Sequence, residues 1–148
     1  MHPHFEEEST LIARGYLPIV GLDEVGRGPL AGPVVAGAVM LREPSVPKWL
    51  PKVRDSKALT AKQRENIFQL IDESGTAWSV GIVSPQDVDQ MGIVSATKYA
   101  MLLAIQKLPR AASFLLIDAI PLPESHLPFK AIIKGDQSCA SIAAASVM

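Results

Sequence analysis

The sequence predicts an α/β domain built on a single sheet, and three observations carry that reading. Apolar, β-branched segments recur as short strands, at 17–23, 34–40, 78–83, 114–118 and 129–135. Between the later ones lie stretches with helical spacing, and turn-forming Gly and Pro separate the pieces. Three early strands followed by helices alternating with two more favour a layered sheet over a bundle or a barrel. The 148 residues, 48% apolar and 20% charged, suit one domain spanning 1–148 with a substantial core.

The opening stretch from Phe5 to Ala13 contains helix formers and reads as a short helix ending near Gly15. Leu17–Asp23 reads as the first strand and Val34–Met40 as the second, joined by a Gly- and Pro-rich connection. Pro44, Pro47 and Pro51 punctuate an irregular stretch over 42–59. Thr60, followed three residues later by Gln63, is a capping box opening a helix that carries Ile67, Leu70 and Ile71. Gly75 stops it before a strand around Trp78–Val83.

Beyond Pro85, Ser95 is a second capping candidate for a helix in which Met101, Ile105 and Leu108 share a face. Pro109 limits that helix, and FLLID at 114–118 reads as a buried strand. FKAIIKG at 129–135 is the last strand candidate. The small apolar residues after Asp136 predict a helix packed closely on the sheet. Because the chain stops inside this pattern without a polar cap, the expectation is a terminal helical region that is incomplete.

Fourteen basic and fifteen acidic residues give a formal net charge of -1, which alone argues weakly against nonspecific nucleic-acid binding. The distribution is uneven, with an acidic head at Glu6, Glu7 and Glu8. The middle is basic, through Arg42, Lys48, Lys52, Arg54, Lys57, Lys62 and Arg64. Such a middle steers a phosphate backbone or simply solubilises the surface, and composition does not choose between these. One cysteine, Cys139, excludes an intrachain disulfide and a paired-cysteine zinc site; a structural role for it is expected. With three histidines, two of them at the start, a histidine-rich metal site is not expected. No apolar run is long enough to span a membrane and no leader pattern opens the chain, so a cytoplasmic setting is the expectation.

The sharpest chemical feature is the pair Asp23-Glu24, which follows an apolar strand and precedes Gly26-Arg27-Gly28. Neighbouring strand residues face opposite ways, so both acids enter one site only if the strand ends, twists or bulges there. From the dipeptide alone, solvent-facing acids at a turn are as good a reading as metal ligands. Asp118 ends FLLID, and Asp136 follows the last strand candidate. Four carboxylates at successive element ends would form an oxygen-rich cluster suited to Mg²⁺ or Mn²⁺.

These residues stand in longer matches. GLDEVGRGPLAGPVVAGAVM at 21–40, DSKALT at 55–60, LLID at 115–118 and KGDQSCASIAAAS at 134–146 resemble the ribonuclease HII family, in family order over nearly the whole chain. The resemblance implies a ribonuclease H-like fold, a mixed sheet with flanking helices, and identifies Asp23, Glu24, Asp118 and Asp136 as the acidic residues that hold metal and carry catalysis. It implies Mg²⁺ or Mn²⁺, two ions in the substrate complex. The implied reaction cuts on the 5′ side of ribonucleotides in RNA–DNA hybrids or ribonucleotide-containing duplex DNA.

The resemblance also gives Gly26, Arg27 and Gly28 a role in recognising the junction beside the ribonucleotide. Bare backbone amides there approach phosphate or sugar oxygens, and the Arg27 guanidinium offers several donors. Ser56 and Lys57 are substrate-binding candidates; outside the resemblance, a solvated polar turn is the favoured reading. Thr97 is read as a cap or local polar support. Two departures from the family pattern stand out. Ala119 stands where the family often has glycine after the third acid. The continuation after the final alanine-rich helix, which carries the family's junction-positioning tyrosine, is missing, so that tyrosine is not assigned. Tyr16 and Tyr99 are not substitutes for it. The competing readings are another ribonuclease H-fold nuclease and a catalytically inactive nucleic-acid-binding domain; the protein is expected to be monomeric.

Overall fold

The computed structural model describes residues 3–25, 32–53 and 59–148. Five strands form one mixed sheet: β1 (Ile19–Val25), β2 (Val34–Leu41), β3 (Ala77–Val83), β4 (Phe114–Asp118) and β5 (Phe129–Ile132), in the order β3-β2-β1-β4-β5. β3, β2 and β1 pair antiparallel, whereas β4 and β5 run parallel to β1. The helices are α1 (Glu6–Ala13), α2 (Ala61–Glu73), α3 (Pro85–Met91), α4 (Ile93–Gln106), α5 (Gly135–Ser138) and α6 (Ala140–Ala145). Among the described residues, no helix is long and apolar enough to cross a membrane.

Strand alternation divides the core between two faces. Val20, Leu22, Ala36, Ala38, Met40, Leu115 and Ile117 pack with Ala96, Ala100, Met101 and Ala104 of α4. On the opposite face, Val39 and Leu41 meet Trp49, Ile67, Ile71 and the alanines of α6, while Ile19 and Leu116 meet Leu11 and Ile142. The small residues of α6 bring its backbone close to the sheet, and Gly21 and Gly37 leave the space. A Cβ at Gly21 would overlap the backbone carbonyl of Ser141, and one at Gly37 the carbonyl of Ala145.

The expected capping box is present: Thr60 Oγ1 accepts from the Gln63 amide at 3.1 Å, and Gln63 Oε1 accepts from the Thr60 amide at 2.8 Å. Elsewhere the structure corrects local expectations. β1 starts at Ile19, two residues later than expected, because Pro18 has no N–H for a ladder, and it runs on through Val25. Two helices, not one, follow β3. Ser84 caps the first, Gly92 with φ +84 breaks the chain, and Ser95 lies in the first turn of α4 rather than at its cap. Thr97 donates its hydroxyl to the Ile93 carbonyl at 2.8 Å, which makes it local polar support. The single helix expected after Asp136 is two short ones, split by extended backbone at Cys139.

A carboxylate cluster as the candidate functional site

Three of the four sequence-predicted acids come together. β1 and β4 pair in parallel with Ile19 opposite Phe114 and Leu22 opposite Ile117, and extending that register sets Asp23 beside Asp118. Adjacent strands lie about 4.8 Å apart. Asp23 shares a face with Ile19 and Gly21, and Asp118 shares one with Phe114 and Leu116. Both are the face covered by α5 and α6. Asp136 enters that face from α5, where it is 6% exposed, as is Asp23. The α5 turn is tied to the cluster directly, because the Gly135 amide donates to Asp118 Oδ1 at 2.8 Å.

The electrostatics follow from this proximity. The Asp23 carboxyl is pushed from 3.8 up to about 9, first by burial, then by the charges of Asp118 and Asp136 and a hydrogen bond to the Asp118 side chain. The Glu24 backbone amide donates to Asp23 and opposes the shift. At neutral pH Asp23 therefore holds a proton that its acidic neighbours favour. Among the described residues, no group of three or more histidine, cysteine, aspartate or glutamate side chains stands arranged to hold a metal ion. The three aspartates are coupled by charge without forming a closed ligand shell.

Glu24 is placed differently. The ladder with β2 is regular here, with Asp23 opposite Gly37, Glu24 opposite Ala36 and Val25 opposite Val35. With neither a strand end nor a bulge between the two acids, their side chains leave opposite faces. The charges acting on Asp23 come from Asp118 and Asp136. Gly26, Arg27, Gly28, Ser56 and Lys57 lie outside the described residues.

One acid near this region was missed by reading charge along the chain. Glu8, which belongs in sequence to the acidic head with Glu6 and Glu7, is fully buried. Its Oε2 accepts from the Ser141 amide at 2.8 Å and from Cys139 Sγ at 3.1 Å. The available signal was spacing: Phe5, Glu8, Leu11 and Ile12 form one helical stripe. Burial and the Glu8 charge push the Cys139 thiol far up, leaving it protonated and unreactive.

The family model described as Ribonuclease HII matches residues 20–148, from β1 to the last residue. The chain belongs to the ribonuclease HII family. Relatives in it include the ribonucleases HII of Roseiflexus castenholzii, 48% identical over 99% of this chain, and Desulfitobacterium hafniense, 49% identical over 96%. The chain spans 66% and 54% of those proteins' own lengths. The ribonuclease HII in a PCNA complex from Archaeoglobus fulgidus superposes with TM-score 0.71 at 27% identity, over 88% of this chain and 70% of that one. Ribonuclease H2 from Pyrococcus horikoshii reaches 0.75 at 24% identity, over 88% and 69% of the two chains, and shares the fold. The mixed sheet with flanking helices is thus the ribonuclease H-like arrangement the sequence motifs imply.

Proposed function

We propose that the chain is the catalytic part of a metal-dependent endonuclease that hydrolyses the phosphodiester on the 5′ side of ribonucleotides, in RNA–DNA hybrids or ribonucleotide-containing duplex DNA. The observation that supports this best is the convergence of Asp23, Asp118 and Asp136 on one largely buried face. The charges of Asp118 and Asp136 add to burial in pushing the Asp23 carboxyl up. A divalent cation offsetting that charge is the compensation such a donor set fits.

Mg²⁺ or Mn²⁺, two ions in the substrate complex, would supply charge relief at the phosphate and activation of water. A ribonuclease HIII of the same fold has been solved in complex with Mn²⁺, at 24% identity and TM-score 0.67. Asp23, central to the coupled set, would be the main residue holding the ions, together with Asp118 and Asp136. The family resemblance would add Glu24 to the same donor set, although its side chain leaves the other face of β1. In the reaction, water oxygen attacks phosphorus, the bond to the 3′ oxygen breaks, and the ends left are a 5′-phosphate and a 3′-hydroxyl. Selection of RNA requires sensing the 2′-hydroxyl, the role proposed for the Gly26-Arg27-Gly28 backbone, with Arg27, Ser56 and Lys57 holding phosphate. A monomer acting in the cytoplasm completes the reading.

The test uses the full-length protein on duplex DNA with one embedded ribonucleotide, an RNA–DNA hybrid and all-DNA duplex, each with Mg²⁺, Mn²⁺ or EDTA. Metal-dependent nicking of the ribonucleotide substrates alone is expected. Asp23→Asn or Asp136→Asn should cost more than about a hundredfold, beyond what loss of a residue supporting a ligand costs. Wild-type protein that leaves both ribonucleotide substrates intact with either metal would refute the proposal; binding without cleavage would indicate an inactive nucleic-acid-binding domain.

A further inference from the structure

We propose that Glu8 is a positioning residue for Asp136, and that α1 braces the candidate site from outside the residues matched by the family model. The inference rests on the reading of Asp136 as a metal-holding acid.

The geometry centres on the break between α5 and α6. Cys139 is extended there, with φ −119 and ψ 123, so the chain leaves the helix that carries Asp136 and restarts at Ala140. A helix start leaves its first amides without intrahelical acceptors, and Cys139 contributes no capping side-chain hydrogen bond. Glu8 supplies the missing acceptor from another element, through Oε2 to the Ser141 amide.

The same break is held from a second direction. The His4 amide donates to the Ser138 carbonyl at 3.1 Å, and the Ala140 amide donates to the His4 carbonyl at 2.9 Å. Lys130 Nζ reaches Glu7 Oε1 at 2.9 Å, joining α1 to β5 just before the turn that leads to Asp136. Residues 4–8 therefore hold the break that follows Asp136, and an exposed ion pair adds a contact to β5 ahead of it.

A merely space-filling residue at position 8 would be apolar. Glu8 is instead completely buried, and its Oε1 has no hydrogen-bond partner among the described residues. Burying a carboxylate oxygen unpaired is costly. Keeping it is understandable if the other oxygen fixes a backbone whose position matters. The matched family region starts at residue 20, twelve residues beyond Glu8, so the site depends on a segment outside it.

The experiment compares Glu8→Gln, Glu8→Asp and Glu8→Ala in the full-length protein. Gln keeps a carbonyl acceptor for Ser141, Asp withdraws the carboxylate by one methylene, and Ala removes it. Two readouts are used: hydrogen exchange at the Asp136, Gln137 and Ser141 amides in metal-free protein, and calorimetric Mn²⁺ affinity. Exchange at those amides should quicken in the order Gln, Asp, Ala, with α4 amides unchanged. Mn²⁺ affinity should fall by about tenfold or more in Ala and stay within about threefold in Gln, the range expected when support of a metal ligand is lost or kept. In cleavage assays, kcat should fall in Ala with KM unchanged.

If Glu8→Ala does not fold, Glu8→Asp decides. Wild-type exchange and affinity in a folded Asp variant overturn the inference, as does tenfold weaker Mn²⁺ binding by a folded Gln variant. Wild-type protein that binds no Mn²⁺ refutes the metal-site reading instead. The exchange measurements would then still decide whether Glu8 fixes the Asp136 segment.

Discussion

The Asp23 carboxyl hydrogen-bonds the Asp118 side chain across two parallel strands, and burial together with the charges of Asp118 and Asp136 carries its pKa to about 9. The consequence for metal-free stability has a definite sign. Below the ordinary value of 3.8, Asp23 is protonated in both folded and unfolded chains. Above it the unfolded chain releases the proton and the folded one keeps it, so stability declines until pH passes about 9. The slope contributed by one such proton is at most about 1.4 kcal/mol per pH unit. Urea denaturation in EDTA at pH 5, 6, 7 and 8 should show the decline. Asp23→Asn should flatten it and be the more stable protein at pH 8. Parallel profiles for the two would contradict the coupling.

Metal binding should expel the same proton. Because Asp23 is protonated at neutral pH in the metal-free site, Mn²⁺ uptake at pH 7 should release about one proton, and apparent affinity should rise about tenfold per pH unit from 6 to 8. Calorimetry in buffers of different ionisation enthalpy measures the release directly. Binding without release would mean that the cation sits away from Asp23.

Much of this site was legible in the chain because strand ends are legible. FLLID is β4 residue for residue, so Asp118 was placed at a strand terminus correctly, and parallel pairing to β1 then makes it a neighbour of Asp23. Glu24 shows what local reading leaves open. Sequence showed that two adjacent acids need an irregular strand to meet. It did not show that hydrogen bonding to β2 would continue regularly through Val25. Glu8 was hidden for a different reason. Its burial comes from Ser141 and Cys139, more than 130 residues away, and a run of three glutamates gives no hint of such a partner. The break at Cys139 is equally nonlocal, since the alanine-rich segment favours a continuous helix and the His4 bridge interrupts it.

The close seat of α6 predicts the cost of a single methyl group. At Gly21 an added Cβ would meet the Ser141 backbone, which cannot swing aside as a flexible side chain would. Gly21→Ala should destabilise the protein by about 1–3 kcal/mol, as overpacking in a filled core does. It should also weaken Mn²⁺ binding, because displacing Ser141 disturbs the segment that follows Asp136. Gly37→Ala, built against the Ala145 carbonyl, should behave similarly in urea denaturation. Wild-type midpoints for both variants would mean that α6 does not sit this close to the sheet.

Ala119, immediately after the third acid, predicts a substitution that strengthens the protein. Its φ of +62 lies in the left-handed region, where an L side chain costs about 1–2 kcal/mol. The conformation is held on both sides: the Ala119 amide donates to the Ile132 carbonyl at 2.9 Å and the Ile120 amide to the Asp118 carbonyl at 2.7 Å. Glycine, the residue that the family motif leads one to expect here, would adopt this geometry without the steric cost. Part of the gain is lost because glycine leaves the unfolded chain freer, by roughly 0.5–1 kcal/mol. Ala119→Gly should therefore raise stability by about 0.5–1 kcal/mol in urea denaturation, the difference between those two effects. Mn²⁺ affinity should change less than about twofold, because pairing to β5 and the Gly135 amide still hold Asp118. A glycine variant that unfolds at lower urea than wild type would mean that the alanine methyl makes packing contacts worth more than the strain it causes.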